Sequence, residues 1–150
     1  MKDIFSKDIS EEVIGRINML NPDSKRIWGK MEAGQMLAHC NVTYELVYES
    51  QHPKPTGLKK WMIKAFVKNI VVSEKPYKRN SRTAPEFLIT SDKDFEKEKG
   101  RLQSYITKTQ ELGRGHYEGK ESHSFAKLTA NEWNNLFYKH LDHHLQQFGV

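Results

Sequence analysis

Apolar residues recur with the spacing of an α-helix in four long stretches of the chain. These stretches cover residues 8–20, 32–50, 91–113 and 128–150. Within each, apolar positions repeat every three or four residues, and none shows the alternation of period two that is typical of a half-buried strand. The pattern predicts an all-α protein in which four long amphipathic helices form a four-helix bundle. A length of 150 residues favours a single domain over residues 1–150 with a sizeable core.

The last stretch has the clearest helix start signal. Thr129 is followed three residues later by Glu132, the spacing of a capping box in which each side chain bonds a backbone N–H of the first turn. At 100° per residue the large apolar side chains fall on one broad face. They are Trp133, Leu136, Phe137, Leu141 and Phe148.

Three histidines share the inward faces of two of these predicted helices. His140 and His144 lie one turn apart on the apolar face of the last helix, and His143 lies at its edge. His39 is central on the face of the second helix that also carries Val42. Burying imidazoles is costly unless their nitrogens have partners. The sequence therefore predicts that a metal ion or hydrogen bonds satisfy these ring nitrogens.

On the second helix the same geometry separates two sets of polar residues. Gln35 and Thr43 lie within a right angle of His39. Asn41 and Glu45, together with Glu49, are expected to point away from the core.

A divalent metal is one partner that fits the three inward histidines. Neutral imidazole is a good ligand for Zn²⁺, Ni²⁺ and Fe²⁺, and two histidines one turn apart can share a cation. His39 would complete a set of three with His140 and His144, which leaves a coordination position open as in catalytic sites. The alternative is that the histidines only bond one another within the core.

Several neighbours are candidates for supporting this site. Gln35, Thr43 and Gln147 share directions with the histidines and could bond their outer ring nitrogens, as metal-bound histidines require. His123 precedes the last helix and is expected either to reach the mouth of the site or to pack within its loop. His143 is expected to be a neighbour of the ligands or a surface residue.

The connection between the second and third long helices is unusual. Residues 51–57 contain two prolines and a glycine, which break the helix. Residues 58–72 predict an extra short helix with a lysine-rich side. Basic amphipathic helices bind membranes or partners, but the favoured interpretation is a helix that caps one end of the bundle. Residues 73–90 predict a long loop that could cover the site.

Composition and charge narrow the function classes. The net charge of +5 is spread among many acidic residues, which favours a mixed-charge surface and predicts no specific nucleic-acid binding. No apolar run is long enough to span a membrane, and no signal peptide is recognised. The single cysteine, Cys40, suits a reducing compartment, so we expect a cytoplasmic protein.

Two segments of the chain resemble a known family. WGKMEAGQMLAHC and HSFAKLTANEWNNLFYKHLDHHLQQFG are similar to the DinB-like superfamily, and within it to the DUF1569 branch, which ends in a run resembling HPxFGxLTxxEWxxLxYKHLDHHLRQFG. The resemblance covers nearly the whole chain. The chain departs from this run at Ser124, where the run has proline, and at Ala126, where it has glycine.

The resemblance carries expectations about fold and function. It implies an up-down-down-up four-helix bundle with a metal triad that maps onto His39, His140 and His144. Related proteins include bacillithiol and mycothiol S-transferases and proteins called metal-dependent hydrolases. We therefore expect a metal-dependent enzyme that acts on a small-molecule substrate, with a low-molecular-weight thiol as cosubstrate. The alternatives are a hydrolase and a non-catalytic bundle, and a homodimer is left open.

Overall fold

The computed structural model describes all 150 residues and is mostly helical, with 58% of the residues in helices. The predicted all-α class is confirmed. The elements are α1 (Lys7–Asn18), α2 (Ala33–Tyr48), α3 (Gly57–Phe66), α4 (Lys68–Val72), a 3-10 helix (Pro85–Phe87), α5 (Phe95–Tyr117), β1 (Glu121–Ser122), β2 (Ala126–Lys127) and α6 (Ala130–Gln147). The two short strands pair antiparallel in a hairpin between α5 and α6.

The four long helices occur where the apolar periodicity predicts them. α1, α2, α5 and α6 pack against one another around one core. Its largest fully buried side chains come from all four helices and include Ile17, Leu37, Tyr44, Ile106, Trp133, Phe137 and Leu141. Burial of this apolar surface is the main force that fixes the faces of α2 and α6 toward each other.

Local signals in the sequence fix two of the helix ends. The Thr129 side chain accepts a hydrogen bond from the Glu132 N–H, and Glu132 accepts one from the Thr129 N–H, so the predicted capping box is confirmed. Gly113 has a φ of 68° and interrupts α5, which continues for one more turn to Tyr117. A left-handed residue at this point is the usual end of a helix, and glycine adopts it without strain.

The expectation that Asn41 and Glu45 point away from the core is wrong. Asn41 is fully buried and donates to a Glu98 carboxylate oxygen at 2.8 Å. Arg101 donates to both Glu45, at 2.6 Å, and Glu98, at 2.9 Å. Because α5 packs along this side of α2, the helix is buried on two faces, and the Asn41 amide nitrogen and the Glu45 carboxylate are both bonded there, whereas the Asn41 side-chain oxygen has no partner. Glu49 is exposed, as expected.

The connection between α2 and α5 contains two short helices instead of one. α3 and α4 are separated at Val67. The favoured interpretation of a helix that caps the bundle is wrong for α3, because none of its residues is buried. Only Ile63 packs partly against the core. No helix in the structure combines the length and the apolar character needed to cross a lipid bilayer.

Ala126 adopts a left-handed backbone conformation, with a φ of 64°. This conformation costs a non-glycine residue roughly 1–2 kcal/mol, whereas glycine adopts it freely. We predict that Ala126→Gly stabilises the protein by about 0.5–1 kcal/mol, because the relief of strain exceeds the added entropy of the unfolded chain. Urea denaturation measures the change. Ala38→Gly, in the helical interior of α2, is the control and should destabilise by about 1 kcal/mol; equal destabilisation by both substitutions would contradict the prediction.

Candidate metal centre

Three histidine rings converge between α2 and α6. His39 lies at the middle of α2, and His140 and His144 lie one turn apart on α6. Their ring centroids are 4.5 to 4.9 Å apart. His39 Nε2 and His140 Nε2 lie 2.9 Å from each other, and the three potential ligand atoms all lie within 4.8 Å of one another. His39 and His144 are only 4% and 8% exposed, so the cluster lies inside the protein.

Each ring has its outer nitrogen, Nδ1, held by a separate partner. His39 Nδ1 donates to the carbonyl oxygen of Phe87 at 2.8 Å. His144 Nδ1 donates to the side-chain oxygen of Gln147, also at 2.8 Å. Because carbonyl oxygens only accept, both Nδ1 atoms carry the proton, and both Nε2 atoms present a lone pair to the centre of the cluster. This is the tautomer that a metal ligand needs.

His140 has a partner of a different kind. Its Nδ1 lies 2.8 Å from the Thr43 hydroxyl, which can either donate or accept a hydrogen bond. While no cation is bound, the His140 Nε2–H can donate to the lone pair of His39 Nε2, and Thr43 then donates to His140 Nδ1. With a cation held at the centre, the ring proton would lie on His140 Nδ1, and the Thr43 hydroxyl would accept a hydrogen bond from it. Thr43 therefore accommodates both tautomers of the ring.

The Gln147 side chain is itself fixed by the segment before α2. Its amide nitrogen donates to the carbonyl oxygen of Trp28 at 2.7 Å, which turns the amide oxygen toward His144. Gly29 lies next to this amide with a φ of 82°, and a Cβ atom at that position would lie 2.2 Å from the amide nitrogen. Glycine suits this position because its φ is positive, and a side chain here would displace the Gln147 amide. The Trp28–Gly29 turn thus orients His144 through Gln147.

The three imidazoles are neutral at physiological pH. Burial lowers the pKa of His39, and burial together with the neighbouring His144 and His39 lowers the pKa of His140 well below its usual value. Burial, followed by the proximity of His39, lowers the pKa of His144 to about 3. No carboxylate contacts the cluster to favour protonation. Neutral imidazoles with inward lone pairs are the form that binds metal.

The segment 73–90 lies over the cluster, as expected of a cover. The Phe87 ring packs against both His39 and His140, at centroid distances of 5.3 and 5.8 Å. The Tyr77 ring packs edge-on against His140 at 6.4 Å. These aromatic rings limit the access of water to the histidines.

Both ends of the cover are tied to the helices that carry the histidines. The Phe87 carbonyl is bonded to His39 on α2. At the other end, the buried Lys139 of α6 donates to the carbonyl oxygens of Ile70, Ser73 and Lys75. Burial without an acidic partner lowers the pKa of Lys139 to about 8. The lysine anchors the cover one residue away from His140.

A cavity of about 250 Å³ lies beside the cluster. Tyr77 and His143 line it, and each contacts a histidine of the cluster on its other side, Tyr77 at His140 and His143 at His144. The remaining lining mixes apolar, aromatic and polar side chains and includes Met1, Trp28, Pro76, Arg79, Tyr138, Lys139, Asp142 and Gln146. A small molecule in this cavity would be separated from the cluster by one layer of side chains.

Gln35, which was expected near the cluster, lies elsewhere, and His123 adopts the second of its two expected positions, within its loop. Gln35 forms a capping box at the start of α2, where its side-chain oxygen accepts from the Glu32 N–H at 2.9 Å. His123 packs in its loop and bonds Ser124 and the carbonyl oxygen of His52, at 2.9 and 3.1 Å. Gln35 points in the same direction as His39 but lies one turn before it, at the start of α2. His123 lies in the hairpin between β1 and β2, which carries it away from the cluster.

His143 borders the cluster without joining it. Its ring lies 5.0 Å from that of His144 and also contacts Tyr77 and Trp28. The sequence did not reveal the role of Phe87 or of the Trp28 carbonyl. Both contribute backbone oxygens, which leave no trace in residue type. Gly29 was the one available signal, since glycine permits a left-handed backbone and a close approach.

The donor set fits a divalent cation. Two nitrogens that share a cation at about 2.0–2.1 Å lie roughly 3–3.5 Å apart. The 2.9 Å between His39 Nε2 and His140 Nε2 is close to this range, and the 4.8 Å limit for the whole set requires only a small movement of a ring. Three nitrogens from two helices leave at least one coordination position open.

We predict that His39→Ala, His140→Ala and His144→Ala each lose most of the bound metal. Removal of one of three ligands leaves an incomplete set. Thr43→Val should retain the site but weaken metal binding about 10- to 100-fold, because the bond to His140 Nδ1 is lost. Elemental analysis and metal titration of untagged protein measure both effects.

The controls for this experiment are two other histidines. His143→Ala removes a neighbour of the cluster, and His116→Ala removes an exposed histidine at the end of α5. Both should bind metal as the unmodified protein does. Full metal content in all three triad variants would show that the triad is not the site.

We predict that the metal-free protein loses stability as the pH falls from 7 to 5. The unfolded histidines take up protons near pH 6.5, whereas burial keeps the pKa of the three folded imidazoles lower, down to about 3 for His144. The unfolded state therefore binds more protons in this window. The free energy of unfolding should decrease by up to about 1.4 kcal/mol per pH unit for each histidine.

Urea denaturation in the presence of a chelator at several pH values measures this slope. His144→Gln removes one of the three groups and should reduce the slope by about one histidine's contribution. Identical slopes for the two proteins would contradict the assignment of the pH dependence to the buried triad.

Comparison with known proteins places the chain in one family. No curated protein and no solved structure matches it. The model of a family described as "Protein of unknown function (DUF1569)" matches residues 5–149. This range includes all three histidines of the cluster, the Trp28–Gly29 turn and the cover segment. The chain therefore belongs to the DUF1569 family.

Proposed function

We propose that this protein is a metal-dependent enzyme that transfers a low-molecular-weight thiol to a small electrophilic substrate. His39, His140 and His144 would hold one divalent cation, and Zn²⁺, Ni²⁺ and Fe²⁺ all suit the three imidazoles. When bound, such a cation supplies Lewis acidity that lowers the pKa of a thiol or of water at its open position.

The observation that carries this proposal is the arrangement of the outer nitrogens. Each ligand candidate has a separate partner on Nδ1, namely Phe87, Thr43 and Gln147. With the Nδ1 atoms bonded on the outside, all three Nε2 atoms point at one another. Histidines that only fill a core do not need this common orientation. Mutual bonding alone would also satisfy only one pair of Nε2 atoms, and the third lone pair would stay without a donor.

Thiol transfer is favoured over hydrolysis by the absence of a base at the cluster. No Asp or Glu side chain bonds any of the three rings. The buried acids of α2 and α5, Glu45 and Glu98, are paired with Arg101. Hydrolysis usually needs a general base that accepts a proton from water during attack. A thiol of pKa near 8.5 is deprotonated more easily, so a cation and a dry site suffice.

The residues around the cluster would position the reactants. Phe87 and Tyr77 exclude water from above the rings, which strengthens the electrostatic interactions within the site. The 250 Å³ cavity offers Arg79 and His143 as hydrogen-bond donors and Trp28 as an apolar wall. These groups suit the carboxylates and apolar parts of a small thiol or its acceptor, whose reacting atom would reach the cation only when the Tyr77 or His143 side chain turns aside.

We also propose that α1, α2, α5 and α6 form the up-down-down-up bundle of the DinB-like superfamily. Support comes from the packing of these four helices around one core and from the H-x-x-x-H spacing of His140 and His144 on the last helix, opposite a histidine on the second. A cytoplasmic location is part of the proposal, because the single cysteine, Cys40, is buried and unpaired.

The test supplies metal-loaded protein with an electrophile, such as a chloroarene or monochlorobimane, and with bacillithiol, glutathione or cysteine in separate reactions. The sulfur forms a bond to the carbon that carries chlorine, chloride leaves, and the thiol proton passes to buffer. We predict conjugation that depends on both the thiol and the metal and that falls at least about 100-fold in His140→Ala. His116→Ala, at an exposed position, should retain full activity.

The other outcomes separate the alternatives. Cleavage of esters or amides without thiol, dependent on the same triad, would replace the proposal with a hydrolase. Metal binding without either activity would favour a structural site. The metal content of each protein sample is measured alongside its activity, so loss of the cation is distinguished from loss of catalysis.

A further inference from the structure

The largest set of exposed apolar side chains lies on α3 and α4, in the connection between α2 and α5. Leu58, Trp61 and Phe66 are 71%, 61% and 66% exposed, and Met62 and Ile70 are also exposed. On α3 these side chains occupy one sector of roughly 140° of the helix surface. Contiguous exposed apolar surface of this kind marks an interaction site. We call these five residues the apolar ridge.

α3 is oriented with its apolar side away from the protein. Ile63 and Lys60 are its partly buried residues. Lys60 pairs with Glu121 at 3.9 Å, and Lys59 pairs with Glu86 at 3.5 Å. The side that an amphipathic helix normally buries is therefore exposed, while ion pairs tie its polar side to the rest of the protein. This inversion explains why the helix does not serve as a cap for the bundle.

The positive charge of the chain is concentrated in the same part of the sequence. Residues 54–82 contain nine Lys or Arg residues and one acidic residue, whereas the other parts of the chain contain 15 basic and 18 acidic residues. Six of the nine make no ion pair: Lys54, Lys64, Lys75, Lys78, Arg79 and Arg82. The segment that carries the apolar ridge is thus strongly cationic, while the remainder of the protein is slightly anionic.

We propose that the apolar ridge docks the protein onto the surface of an anionic lipid bilayer. Trp61 and Phe66 suit the interface between headgroups and acyl chains, and Leu58, Met62 and Ile70 suit the acyl chains. Lys64, beside the ridge on the exposed side of α3, and the basic residues of the cover would contact anionic headgroups, each contributing to a field that falls off within a Debye length. The interaction is peripheral, with the helix in the plane of the membrane.

Charge and chemistry favour this occupant over two others. A second copy of the chain on a two-fold axis would bring two cationic segments together, which is unfavourable. A nucleic acid would satisfy the charge but would leave Leu58, Met62 and Ile70 without a partner, because bases stack on aromatic rings. A lipid surface offers negative charge and an apolar phase together, which neither of these two does.

The test is sedimentation of the full chain with vesicles of phosphatidylcholine alone and of phosphatidylcholine mixed with phosphatidylglycerol. We predict binding to the mixed vesicles and little binding to the neutral ones. The emission of Trp61 should shift to shorter wavelength on binding, since the other two tryptophans are already at least partly buried. Trp61→Ser and Phe66→Ser should each lower the affinity about tenfold or more, and Lys64→Gln should lower it about fivefold.

Matched controls come from exposed residues outside the ridge. Met19→Ser replaces an apolar side chain that is 67% exposed at the end of α1, and Lys25→Gln removes an exposed, unpaired charge from the loop after α1. Neither should change vesicle binding. Equal binding to both kinds of vesicle, or binding that survives Trp61→Ser with Phe66→Ser, would overturn the proposal.

Two further measurements test for the alternative partners, a second copy of the chain and a nucleic acid. A dimer in sedimentation velocity that dissociates in the Trp61→Ser, Phe66→Ser protein would replace the lipid with a second copy. Displacement of the vesicles by single-stranded nucleic acid at physiological salt would replace it with a polynucleotide. Circular dichroism of each variant establishes that the fold is retained, since no ridge residue is buried.

Discussion

Three imidazoles buried between α2 and α6 constrain much of the surrounding structure. Polar nitrogens in a core are tolerated only when each has a partner. Here the outer nitrogens are bonded by Phe87, Thr43 and Gln147, which belong to the cover segment, α2 and the end of α6. The inner nitrogens are thereby directed at a common point. The hydrogen bonds that the three histidines need therefore position the cover segment, α2 and the end of α6 relative to one another.

This constraint reaches beyond the residues that touch the histidines. Gln147 is turned by the Trp28 carbonyl, and Gly29 suits its position because its φ is positive and a Cβ there would displace the Gln147 amide. The cover that supplies Phe87 is held at its other end by Lys139, whose ammonium bonds three backbone carbonyls. Loop segments that are ordinarily the most variable part of a helical protein are thus positioned by the same two helices that carry the site.

The apolar ridge and the histidine cluster are joined by the same connection. α3 and α4 lead directly into the cover, and Lys59 on α3 pairs with Glu86, the neighbour of Phe87. The connection between α2 and α5 therefore carries two unrelated chemistries, an exposed apolar and cationic surface on one part and the lid of a buried polar site on the other. The composition differs between the two parts. Lysines are interspersed with large apolar residues in the helical part, whereas prolines interrupt the segment that follows.

The sequence by itself determined the all-α class, the positions of the long helices and the capping box of α6. These features depend on local periodicity and on single-residue backbone preferences, which a sequence displays directly. It also determined that His39, His140 and His144 face inward, because a helix fixes the directions of its side chains.

Thr43 and Gln147 bond outer nitrogens of the histidines, as their directions in the sequence predict, whereas only the tertiary structure decided the other neighbours. The carbonyl of Phe87 and that of Trp28 have no signature in residue type, and Gln35 shares the direction of His39 yet lies a turn too early to reach it. The burial of Asn41 and Glu45 and the outward orientation of α3 likewise depend on where α5 and the acidic residues of distant segments lie. Direction around a helix is local, whereas the identity of the neighbour is set by how the helices pack.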